Sequence, residues 1–171
     1  MNEKIKSLIP SLFLMPIVLI LIFNQGNFII ILDHINLLIH EGGHGIFSFF
    51  GKFIYTLGGT LMQLILPGLF IITYVKMKKK IAVQLSIIWL AQNMMNISVY
   101  IADARERKLP LLGGNKVYHD WTYILTEINF LSYDTTFGLI LYLIAASLMV
   151  FAVFYPLFIK ENKKVNLDLN L

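Results

Sequence analysis

The stretch Phe28–Phe50, FIIILDHINLLIHEGGHGIFSFF, holds three of the chain's four histidines, and two of them frame His40-Glu41-Gly42-Gly43-His44. Residues four apart on a helix are offset by about 40° around the axis and one turn along it, so both imidazoles can reach one tetrahedral metal ion from the same side. Glu41 follows the first histidine and points about 100° away from it. Its carboxylate can therefore sit beside a water acidified by the metal and act as general base. With this chain's His and Glu frequencies, a chance match is expected only about three times in a thousand. The bland alternative is a polar patch on a membrane helix, paired internally and without chemistry. Ionisable groups at mid-bilayer cost at least about 2.5–3.5 kcal/mol each and mark function by default, so the metal reading leads.

Working outward, the 171 residues are 57% hydrophobic and 14% charged, with a mean hydropathy of +0.72. Soluble domains do not show that balance, and the chain is expected to be an integral, multi-pass membrane protein, all-α and a single domain over residues 1–171. Cysteine is absent, which excludes disulfides, thiolate catalysis and Cys-ligated metal and leaves His, Asp and Glu as the ligand supply. The net charge of +4 comes from lysines and arginines beside the apolar runs and gives no support for nucleic-acid binding.

About five spans are expected, near residues 8–23, 28–50, 60–75, 81–102 and 136–159, plus a short amphipathic surface helix over 119–130. The first reads as an uncleaved helix kinked or started by Pro10 and Pro16. Gly51-Lys52 and then Leu57-Gly58-Gly59 read as a short irregular or re-entrant link before the third span. Counting Lys and Arg at span ends does not orient the protein: seven fall on each face. Either way, the carboxyl ends of the second and fourth spans share one face with the loop 103–120.

A catalytic zinc needs a third protein ligand and one open position. Asp103 is the first candidate, ending the fourth span with Asn96 and Tyr100 on its helical face. That amide and phenol suit positioning of substrate backbone or an oxyanion. An aspartate paired with Arg105 or Arg107 at the membrane boundary is the plainer reading of Asp103. His119 and Asp120 are the rival ligands, or else a solvated pair at a helix start with Asp120 as cap. Asp33 lies about 10 Å along the axis from His40, too far to share its metal, and reads with His34 as an internal hydrogen-bonded pair.

An HExxH inside a hydrophobic helix, a Gly-rich segment, a further span and then Asp103 at a helix end resemble the site-2 protease group of intramembrane zinc metallopeptidases. The likeness spans roughly Asp33 to Asp103, with Thr60 where that group has proline and Ala104 where it has glycine. The resemblance implies a zinc metalloprotease in the cell membrane that hydrolyses peptide bonds of membrane-associated proteins. By this reading His40, His44 and Asp103 hold zinc, Glu41 activates water, and Asn96 and Tyr100 position substrate. The alternatives are a non-hydrolytic membrane metal-binding or transport protein, or a structural partner subunit.

Overall fold

The computed structural model describes residues 3–25, 27–109 and 119–159. Seven α-helices follow in order: α1 (Glu3–Leu12), α2 (Met15–Phe23), α3 (Ile30–Ile46), α4 (Lys52–Lys76), α5 (Lys80–Ala102), α6 (Asp120–Glu127) and α7 (Asp134–Phe154). The expected all-α architecture holds among the described residues. Among the described residues, three helical stretches are long and apolar enough to cross a membrane: Lys52–Lys76, Lys80–Ala102 and Leu131–Phe158. The other two expected spans are shorter. The apolar run 8–23 is broken at Phe13 and Leu14, because Pro16, in the first turn of α2, has no N–H to bond the carbonyl of Leu12. The motif helix is 17 residues long and ends at Ile46 rather than Phe50.

The glycines near 58 are not a link. They lie inside the uninterrupted helix α4, which already begins at Lys52. Their use is close approach: a Cβ on Gly58 would stand 2.8 Å from Cβ of Phe47 and 2.9 Å from the carbonyl oxygen of Gly43. Gly43, Gly58 and Gly59 thus let α3 and α4 pack backbone to backbone. The turn between these two helices is made at Gly51, whose φ of +81° is a conformation that side chains disfavour.

Contacts fix the helix directions. Gly43 meets Gly58 while His40 meets Gly59 and Gln63, so α3 and α4 run antiparallel. Gln63 bonds Asn93 and Phe70 packs on Trp89, so α4 and α5 are also antiparallel. Gln84 of α5 bonds the carbonyls of Ala152 and Val153, and Gly138 meets Ser98 and Ala102, which sets α7 antiparallel to α5. The main core joins Val83, Ile87, Ala91 and Met95 to Ala145, Met149 and Val153, and a second cluster of Ile97, Ile101, Ala104 and Leu125 seats α6 on the carboxyl end of α5.

The carboxyl ends of α3 and α5 therefore lie at one end of the bundle with the amino end of α4. Single cysteines introduced into this cysteine-free chain at Lys52 and Gly113 are expected to label from the same side of a membrane, and one at Lys79 from the other. Gly113, like Pro110, Gly114 and the lysines at 116, 160, 163 and 164, lies outside the described residues. Labelling of Lys52 and Gly113 from opposite sides contradicts this helix order.

Candidate metal centre

Helix α3 turns a polar stripe inward. Asp33, Asn36, His40 and Gly43 are buried, at spacings of three, four and three residues, while Ile31, Leu38 and Ile46 on the opposite side are more than half exposed. The stripe meets amides on α5. Asp33 Oδ1 accepts from Gln92 Nε2 and Asn96 Nδ2, each at 2.6 Å, and Asp33 Oδ2 accepts from the backbone N–H of Ile29. Asn36 donates to Gln92 Oε1 at 2.5 Å and accepts from Trp89 Nε1 at 2.9 Å. Asp33 is thus internal and hydrogen-bonded, but its partners are amides rather than His34, which is exposed and bonds the carbonyl of Ile30.

Two turns beyond Asp33, His40, His44 and Asp120 offer ligand atoms that all lie within 4.8 Å of one another. Asp120 Oδ2 stands 2.9 Å from His40 Nε2 and 3.3 Å from His44 Nε2, and these side chains are only 8 to 12% exposed. The opposite ring nitrogens both face oxygens. His40 Nδ1 is 2.9 Å from Gln63 Oε1, and His44 Nδ1 is 2.8 Å from the carbonyl of Tyr55. A carbonyl only accepts, so each Nδ1 carries hydrogen and each neutral ring presents the Nε2 lone pair to the carboxylate. With both rings neutral three acceptors converge, so either a second proton on an imidazole or a cation must join them. Protonating both rings would place two positive charges, with ring centroids 4.8 Å apart, against one carboxylate. A divalent cation satisfies the same three atoms and leaves the rings neutral, so the donor set fits a divalent metal held by two nitrogens and one oxygen.

Gly59 makes the space. A Cβ there would lie 2.5 Å from Cε1 and Nε2 of His40. Glu41, the residue after His40, is exposed, and its carboxylate lies near enough for its charge to act on both His44 and the phenol of Tyr100. Tyr100 packs edge-on to His40 with centroids 6.0 Å apart, and its hydroxyl accepts from the backbone N–H of Asp120 at 3.1 Å.

Of the candidate third ligands, the structure brings Asp120 rather than Asp103 to the two histidines. Asp103 ends α5 and turns its carboxylate onto the N–H groups of Lys108 and Leu109, at 2.9 and 3.0 Å. Its Oδ2 is also 3.4 Å from His119 Nε2. Neither arginine takes it. Arg105 instead pairs with the fully buried Asp134 at the start of α7, at 2.7 Å. His119 is the cap of α6: its Nδ1 accepts from the N–H of Thr122 at 3.3 Å. The His119-Asp120 pair is therefore buried rather than solvated, with His119 and not Asp120 in the capping role. Burial pushes the His119 imidazole below its ordinary pKa, with Asp103 opposing. Burial also acts to raise Asp120, but in the metal-free cluster hydrogen bonds from protonated His40 and His44 outweigh this and hold the carboxyl below the usual range. Asn96 is drawn to Asp33, which leaves Tyr100 as the expected positioning residue that reaches the centre.

Comparison with known proteins finds no matching family model, no matching curated protein and no matching solved structure.

Proposed function

We propose that this chain is a multi-pass membrane zinc metallopeptidase, similar to the site-2 protease group, that hydrolyses peptide bonds of membrane-associated polypeptides. The observation that carries the reading is the pair of imidazoles set at Nδ1 by carbonyl oxygens, with both Nε2 atoms converging on one carboxylate oxygen. A metal-free cluster needs an imidazole to take a second proton to hold that carboxylate, whereas one cation joins all three atoms with both rings neutral. A bilayer setting is supported by α3 itself, which buries Asp33, Asn36 and His40 and exposes Ile31 and Leu38, the reverse of a helix at a water-facing surface. In this reading α1 with α2, α3, α4, α5 and α7 supply five crossings. The centre then lies level with Tyr55 to Gly59, three to seven residues and roughly 5–10 Å along α4 from Lys52, near the membrane boundary.

His40, His44 and Asp120 would hold zinc, whose chemistry there is Lewis acidity toward water and the scissile carbonyl. Glu41 takes the proton of the attacking water and delivers it to the departing amine as the carbon–nitrogen bond breaks and the carbon–oxygen bond forms. The Tyr100 oxygen accepts from Asp120, so its own hydrogen remains available to the oxygen of the substrate carbonyl. The purified full chain in detergent is expected to carry one zinc per molecule, and chelation is expected to stop cleavage of a membrane-peptide substrate while zinc restores it. Cleavage that persists in metal-free protein sinks the proposal.

A further inference from the structure

His44 meets a backbone carbonyl directly, but His40 meets a side-chain amide, and an amide can turn either end toward its neighbour. The orientation is decided further away. Asn93 is fully buried on α5, and its Nδ2 donates to the backbone carbonyl of Trp89 at 3.0 Å. That carbonyl only accepts, so Asn93 must present Oδ1 to the other side, where Gln63 Nε2 donates to it at 3.2 Å. Gln63 in turn must present Oε1 to His40 Nδ1, 2.9 Å away. Each step leaves one choice, and the last places the hydrogen of His40 on Nδ1.

We infer that Asn93, which touches neither the metal ligands nor the reacting groups, is a positioning residue that fixes the ligating tautomer of His40 through Gln63. The inference rests on the metal-centre reading above. Without Asn93, the Gln63 amide is free to reverse and donate to His40 Nδ1. The ring hydrogen then moves to Nε2, and that nitrogen no longer binds a cation. The loss should therefore appear in metal affinity before any substrate is present.

The test measures zinc affinity by chelator competition on the purified full chain, together with the His40 tautomer in metal-free protein by nitrogen-15 NMR. Asn93→Leu is expected to weaken zinc binding about tenfold or more and to populate the Nε2–H form. Adding Gln63→Glu is expected to restore most of that loss, because a carboxylate accepts from either oxygen and cannot be reversed. A general packing defect at Asn93 is not repaired by that second change. Should Asn93→Leu fail to fold, the smaller Asn93→Ala replaces it, and Gln63→Met, which removes the acceptor at His40 Nδ1, is expected to bind zinc about tenfold or more weakly than wild type. Equal affinity of the Asn93 variant and wild type, or of Gln63→Met and wild type, overturns the inference and leaves the metal centre standing. A wild-type chain that binds no zinc, or binds it undiminished after His40→Ala, overturns the centre and the inference together.

Discussion

Glu41→Gln is expected to lower peptide cleavage by about a hundredfold or more while leaving zinc bound. The substitution keeps size and shape and removes only the ability to take a proton, and Glu41 is not one of the three groups whose ligand atoms converge. Glu41 is exposed, and its charge acts on both His44 and Tyr100 beside the centre. Activity and zinc content measured on the same preparation separate the two effects. Cleavage at the wild-type rate removes Glu41 from the chemistry, and a carrier or storage site for metal becomes the better account. Loss of zinc together with activity would instead make the carboxylate a ligand.

The paired histidines and their glutamate were legible because helical periodicity alone puts residues 40 and 44 on one side, whatever surrounds them. The all-helical class followed from the hydrophobic, weakly charged composition and from apolar runs of membrane-spanning length. Gly58 and Gly59 were misread as a link because a glycine pair signals a turn and a close helix crossing equally well, and only the partner helix, with Gly43 facing them, distinguishes the two. Asn96 looked like a substrate ligand because helix spacing placed it with Tyr100. Spacing around an axis says nothing of depth along a neighbouring helix, and Asn96 sits level with Asp33 instead. Gln63 and Asn93 could not be singled out, since their roles depend on which end of each amide faces which neighbour. Asp103 stood ahead of His119 and Asp120 because it ends a helix with Asn96 and Tyr100 on its face, but the choice turns on where the chain returns after α5.

That choice yields the other large effect. Asp120→Ala is expected to weaken zinc binding by at least about a hundredfold, beyond the ten- to hundredfold typical of groups that only orient ligands. Asp120 Oδ2 is the atom that both imidazoles address, at 2.9 and 3.3 Å, and no other carboxylate among the described residues joins them. Asp103→Ala is expected to act differently. It removes the acceptor for the N–H groups of Lys108 and Leu109 and the neighbour of His119, so it loosens the turn that returns the chain toward α6. A moderate fall in thermal stability follows, with zinc affinity reduced far less than in Asp120→Ala. His119→Ala loses the cap of an eight-residue helix, worth about 1 kcal/mol, and belongs with Asp103 rather than with Asp120. Zinc titrations of the three purified variants, each beside its melting curve, give the ranking. If Asp103→Ala empties the centre while Asp120→Ala leaves it filled, the carboxylate at the end of α5 is the ligand, and α6 must move aside when metal binds.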